Sequence, residues 1–315
     1  MSRTRGGDDA ERFITTLRLT LRLHRFEVVL FGLVFAALGV LGFGLSIAFD
    51  TAGVANCLTA ETTPICVELL ARAELLAGFR APFGIILTFV SSLAGIVLGI
   101  GVVGTEIERR TTVLAWTLYP SRLRWLLPRV AITALLLTIL VAPAAMAADL
   151  FEHVRHVPRL GGDSIVDYGL RGLPVVARGW LAFSLAALIG AWVGRALPAL
   201  LVAAVLFIGI GGAIEIGLSS WLETSAAPLE TPAGAIYLRE AYLDHADGDR
   251  VLESAAAFGL LSPDDPAFSH RFSSIPLGIS GDHGGVAAAR AVAVDGLLGL
   301  SLLLLTAGVV RRRQP

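Results

Sequence analysis

Six histidines (His24, His153, His156, His245, His270 and His283) and the cysteines Cys57 and Cys66 are the residues best suited to bind a metal or act as a nucleophile. No histidine stands in an H-E-x-x-H motif, and no cysteine accompanies one at zinc spacing. Glu152, His153 and His156 come nearest to a cluster, but Arg155 intervenes and Pro158 follows, so the segment reads as a solvated outer loop. The acidic run Asp244-His245-Ala246-Asp247-Gly248-Asp249 puts its glycine in the wrong place for a D-x-[DN]-x-[DN]-G calcium loop. There is no G-x-S-x-G elbow. All 25 basic residues are arginine, which excludes lysine chemistry and a G-x-x-x-x-G-K-[ST] phosphate loop. These patterns leave the chain without a catalytic residue, a metal site or a bound cofactor of its own. The net charge of −1 offers no basis for nucleic-acid binding.

Two carboxylates are notable for another reason. Glu215 and Asp295 lie inside apolar runs, where a charge costs roughly 2.5–3.5 kcal/mol at mid-bilayer for Asp. Both fall in the outer parts of their runs, where the cost is lower. They are candidate polar residues of a substrate path; the structural alternative is snorkelling to the surface or pairing with Arg178 or Arg290.

The elements that position these residues are membrane spans. The chain is 55% hydrophobic and 16% charged, with a mean hydropathy of +0.74; soluble domains carry about a quarter charged residues. A spanning helix needs roughly 20 apolar residues. Six runs qualify: 28–49, 82–103, 130–148, 174–194, 197–218 and 286–310. Lipid leaves backbone groups no partner except their own helical ladder, so the predicted fold is an all-α integral membrane protein with six transmembrane helices. The first run is too long for the 7–15-residue core of a signal peptide, and Asn56 before Cys57 fits a lipoprotein cleavage site poorly.

Arginine sets the direction. Arg12, Arg18, Arg22 and Arg25 precede the first span, and Arg311, Arg312 and Arg313 follow the last. The N and C termini are therefore read as cytoplasmic, which demands an even number of spans. The loop 104–129, with Arg109, Arg110, Arg122, Arg124 and Arg129, is also read as cytoplasmic. Loops 50–81, 149–173 and 219–285 carry most of the Asp and Glu and are placed outside. The last is a large external insert between spans five and six.

Within 1–27, residues 11–27 suggest an interfacial amphipathic helix, with Phe13, Leu17 and Leu21 on one face and Arg18, Arg22 and Arg25 on another. Residues 311–315 form a short cytoplasmic tail. Cys57 and Cys66 share an outer loop and are a candidate disulfide, worth about 2–3 kcal/mol by chain entropy; two free thiols is the alternative. In the insert, Ala233 to Leu243 reads as a helix, and Pro263, Pro266 and Pro276 make the later part irregular. Gly95-x-x-x-Gly99 with Gly101 and Gly104, and Gly209, Gly211 and Gly212, give spans two and five small faces. Such faces serve packing within the chain or dimerisation.

The loop after span two reads Gly104-Thr105-Glu106-Ile107-Glu108-Arg109-Arg110-Thr111-Thr112-Val113-Leu114-Ala115-Trp116-Thr117, then Ser121-Arg122-Leu123-Arg124-Trp125-Leu126. It resembles the membrane subunits of ATP-binding-cassette (ABC) exporters of the type-2 permease class, particularly actinobacterial ones, in which the loop runs approximately E-x-E-x-G-T…L-A-W-T-Q…R-x-R-W-L. Asp167-Tyr168-Gly169 supports the resemblance, and Gly190-x-x-x-Gly194-Arg195-Ala196-Leu197-Pro198-Ala199 is similar to the G-x-x-x-G-x-x-R-R-x-x-P-A segment joining the family's spans four and five. The resemblance covers most of the chain except the insert. Arg110 stands where the family has glycine, and Leu118-Tyr119-Pro120 replaces its glutamine region.

The resemblance implies a permease subunit that moves a substrate outward; a wide apolar bundle suits a drug, an antibiotic or a lipid-like molecule, and the same composition would serve a peptide. Its partners would be two copies of a separate ABC ATPase, which carries the ATP and Mg, a second permease copy, and membrane lipid. Glu106, Glu108, Arg109, Thr111 and Trp116 would form the ATPase contact. A non-transporting immunity or sensory subunit binding a ligand through the insert is the rival reading. A secondary transporter is disfavoured, because no inverted repeat is evident.

Overall fold

The computed structural model describes residues 18, 22, 24–51, 68, 71, 75–76, 78–108, 121–155, 171–228, 236–248, 250–261, 266–279 and 281–312. Five long helices open the chain: α1 (Arg25–Thr51), α2 (Arg80–Glu108), α3 (Arg122–Arg155), α4 (Gly172–Val193) and α5 (Ala196–Thr224). A small mixed unit follows, made of β1 (Ala227–Pro228), β2 (Ile236–Asp244), β3 (Arg250–Glu253), α6 (Ser254–Leu260), α7 (Pro266–Arg271) and β4 (Phe272–Ile279). The last helix is α8 (Gly281–Arg312). Among the described residues, α1 to α5 and α8 are the six helices long and apolar enough to cross a membrane. Each of the six apolar runs falls within one of them, except that Gly194 caps α4 rather than belonging to it.

Helix α4 is the hub. It packs against α2 most extensively and also against α3, α5 and α8, and most of its residues are buried. The contact with α2 is made backbone to backbone. A methyl on Gly95 would run into the carbonyl oxygen of Gly179, and one on Gly99 into that of Phe183. A methyl on Gly104 would lie 3.3 Å from Gly190 Cα. Ser91 Oγ donates to the Val175 carbonyl across the same seam at 3.2 Å. Lipid tails are as apolar as leucine, so close packing of small residues and interhelical hydrogen bonds replace the hydrophobic drive. The glycine face of span two thus serves packing within the chain. That of span five does not: Gly209 and Gly212 face open space, and only Gly211 has a close neighbour, Arg178.

Trp180 Nε1 donates to Thr138 Oγ1 at 2.9 Å, tying α4 to α3. Helix α1 lies along α3, with Gly32, Gly39 and Gly42 set against Leu140, Ala144 and Ala147. The chain passes from α4 to α5 through Gly194, which at φ 70 occupies the left-handed region and donates to the Gly190 carbonyl. Pro198 follows in the first turn of α5, where a missing N–H costs nothing.

Between α5 and α8 the strands form one antiparallel sheet in the order β1-β4-β2-β3. Where a helix is expected at 233–243, the described residues from Ile236 onward form the strand β2 instead. Ile236, Tyr237 and Tyr242 favour an extended chain, and pairing with β3 and β4 overrides the helix-compatible Leu, Arg, Glu and Ala between them. The stretch expected to be irregular holds α7, with Pro266 at its first position, and β4. Pro276 of β4 lies just beyond the two residues that pair with β1, where a missing donor is tolerated. Tyr242, Phe268 and Phe272 form the aromatic core of this unit, with the exposed Phe258 against its edge. Asp244 is buried and takes a bidentate grip from Arg271, at 3.0 Å from Nε and 2.7 Å from Nη2, which holds its carboxyl below the usual range.

The glycine seam makes a sharp prediction. Gly99→Val forces α2 from α4 and should cost about 1–3 kcal/mol, read as a lower thermal midpoint in detergent. Gly212→Val enters open space and should leave the midpoint within error of the parent.

Candidate functional site

Polar side chains gather at two levels of the bundle. The first is the arginine-rich end, where α1, α3 and α5 begin and α2, α4 and α8 finish. Glu106, on the last turn of α2, pairs with Arg129 of α3, and both are largely shielded from solvent. Arg129 also stacks on Trp125, 4.7 Å from the ring centroid. Glu108 Oε2 accepts from the Ala196 N–H at 2.8 Å. It therefore sits on the N-terminus of α5, whose own cap residue Arg195 supplies no side-chain bond. A carboxylate there meets free N–H groups and the positive end of the helix dipole. Arg122 Nη1 donates to the Arg311 carbonyl at 3.2 Å and the Val310 carbonyl at 3.5 Å, covering the C-terminus of α8.

His24 precedes α1 and brings the Cε1 edge of its ring against Gly101 of α2. Burial holds its imidazole below the ordinary histidine value, opposed by the carboxylates of Glu27 and Glu106 and reinforced by Arg129.

The second level lies inside the bundle. Arg178 of α4 reaches Asp295 of α8 at 2.9 Å and Glu215 of α5 at 3.5 Å. Asp295 is only 1% exposed and its Oδ1 has no hydrogen-bond partner among the described residues, whereas Glu215 is 39% exposed. At 1.5 Å per residue the three stand about 22–28 Å from the arginine-rich ends of their helices, in the half of a hydrocarbon core about 30 Å thick that lies away from those ends. Helices α5 and α8 have few close backbone approaches, and Arg178 is one polar link between them.

Hollows among the described residues open beside the bundle. One, of about 930 Å3, opens between α1 and α3; Phe35, Gly39 and Phe43 face Pro143 and Met146 across it, and Asp149 is its charged residue. Another, of about 380 Å3, lies between α5 and α8.

Of the residues singled out in the sequence, Glu106 and Glu108 are thus engaged within the chain, while Arg109, Thr111 and Trp116 lie outside the described residues. So do Arg110, Leu118-Tyr119-Pro120, Cys57, Cys66, His156 and most of 11–27. Glu215 and Asp295 come together on Arg178. Arg290 stands apart from them and stacks on Trp221, 4.0 Å from the ring centroid. The roles of Arg129 and Arg122 were missed, because each had served only as a topology-setting charge. An acidic and a basic residue facing each other at the same end of consecutive antiparallel helices was the signal available.

Six helices long and apolar enough to span a membrane, joined by buried polar links, define a multi-pass membrane protein. The family model for ABC-2 membrane transporter related proteins matches residues 28–218, which is more than half of the chain and takes in α1 to α4 and most of α5. The chain belongs to this family. It is an ABC-2 type permease of the cell membrane, a component of membrane transport, and the family implies an ABC ATPase as partner. No curated protein and no solved structure matched it.

Two outcomes follow from the geometry. Removing Arg178 strands Asp295, so Arg178→Ala should lose about 3–5 kcal/mol, the cost of breaking a buried ion pair. Folded yield should fall sharply, and adding Asp295→Asn should recover part of it. For His24, the unfolded chain takes up a proton near pH 6.5, before the folded chain does. The stability contributed by the neutral ring is complete above that value and declines as pH falls below it. Melting at pH 7.5 and 5.5 should show this loss, and His24→Asn should remove it.

Proposed function

We propose that the chain is the membrane-spanning permease subunit of an ABC exporter. It works as a homodimer or beside a second permease, with two copies of a separate ATPase carrying ATP and Mg. The arginine-rich end faces the cytoplasm, and the unit formed by β1 to β4 lies outside. Closure of the ATPases drives alternating access, and an amphiphilic substrate (a drug, an antibiotic or a lipid-like molecule) moves outward.

The observation that carries this reading is the set of polar links around segment 109–120. The segment is flanked by Glu106 and Glu108 on one side and by Arg122 and Arg129 on the other. These four side chains reach α3, α5, α8 and α2 respectively. A push on this segment would therefore enter several spans together. With no lysine to complete a phosphate loop, the chain requires its energy from another subunit. Arg109, Thr111 and Trp116 are assigned to the ATPase contact itself. Glu106 and Glu108 are assigned to holding that contact in position. Glu215 and Asp295 belong to the outward path, acting through the Arg178 link that governs how far α5 and α8 separate.

Purification from native membrane should recover an ABC ATPase whose hydrolysis rises in the complex. Glu106→Arg should reduce recovery and stimulation several-fold, and Glu106→Arg with Arg129→Glu should restore much of both. A stable lone chain with a ligand on its outer unit, and no ATPase, would overturn the proposal in favour of a non-transporting subunit.

A further inference from the structure

The hollow between α5 and α8 combines a held cation with an apolar slot. Ile214, Leu218 and Trp221 line it from α5, and Arg290, Ala291 and Val294 from α8. The Arg290 guanidinium lies over the Trp221 ring at 4.0 Å. No carboxylate pairs with Arg290 among the described residues, and Glu215 and Asp295, on the same two helices, are both drawn to Arg178. Stacking fixes the plane of a guanidinium and leaves its N–H edge free, the geometry that suits a phosphate or carboxylate.

Depth supplies the second argument. Arg290 is about 33 Å along α8 from Arg312 at 1.5 Å per residue, so it stands at the boundary of a hydrocarbon core about 30 Å thick. Tryptophan favours this headgroup level. Val294 lies one turn along α8 toward mid-membrane, and the crevice is walled there by aliphatic side chains. The backbones of α5 and α8 approach closely at few points, and the slot opens beside the place where Leu222 and Ala287 pack together. A ligand matching both parts needs a negative head and a hydrocarbon chain.

We propose that this crevice binds an anionic membrane amphiphile of the outer leaflet, its acidic head on Arg290 and its chain between α5 and α8. The site is distinct from the ATPase contact and requires no transport cycle. A zwitterionic lipid presents the same phosphate with its charge already compensated, and binds more weakly.

The test uses the full chain in phosphatidylcholine nanodiscs doped with brominated phosphatidylglycerol or brominated phosphatidylcholine. Bromine quenches indole fluorescence, and the difference between the parent and Trp221→Phe isolates the Trp221 signal. Phosphatidylglycerol should quench Trp221 at a several-fold lower mole fraction than phosphatidylcholine. Arg290→Gln should bring the two curves together. Gly217→Leu, placed where a side chain meets open space, should block the crevice and weaken quenching by phosphatidylglycerol even with Arg290 present. Equal quenching by the two lipids in the parent overturns the proposal. So does a preference that survives Arg290→Gln, or a Trp221 that neither lipid reaches because protein covers it. Displacement by inorganic phosphate as effective as that by unlabelled phosphatidylglycerol overturns the role given to the chain.

Discussion

The structure depends on one contact: α2 and α4 touch through their backbones. Gly95 and Gly99 meet the carbonyl oxygens of Gly179 and Phe183, and Gly104 meets Gly190, with no room for a side chain between. In a bilayer nothing is gained by hiding leucine from lipid, so helices associate where they can approach most closely. This seam makes α4 the helix around which the others are arranged. Trp180 then fixes α3, Gly299 lets α8 approach Ser184 and Leu181, and α1 joins at one remove through α3. Helices α1, α5 and α8 bury little of their surface within the chain.

Upon this apolar frame the charged side chains act as connectors. Each one inside the bundle would be costly alone, and each is matched. Glu106 has Arg129, and Arg178 serves both Asp295 and Glu215. The helix termini are treated the same way, with a carboxylate on the start of α5 and a guanidinium on the finish of α8. Opposite charge is delivered to helix ends by neighbouring helices, which ties helix termination to tertiary packing.

The spans were legible in the sequence because lipid imposes a long unbroken apolar run, a stronger rule than any local propensity. Their ends were less so. Helix α3 runs from Arg122 to Arg155, well past the apolar 130–148, since polar residues continue a helix into the headgroup region. The small face of span two could be read from its glycines, but its partner could not, because spacing does not name the helix that fills it. The pairing of Glu215 and Asp295 was readable as an option, as Arg178 was a nearby intramembrane cation. The partner of Glu106 was not, for Arg129 was already explained by topology. Strand β2 was hidden because its residues also suit a helix, and the strands that decide the matter lie later in the chain.

The grip of Glu108 on α5 and of Arg122 on α8 has a mechanical consequence. Glu108 and Arg122, which stand on either side of segment 109–120, hold helices other than their own. Load applied there is shared among parallel members, as in a truss, rather than carried down one rod. The stiffness of the assembly then belongs to its joints. These are noncovalent and reversible, so the frame can yield and recover its shape without any helix having to unwind.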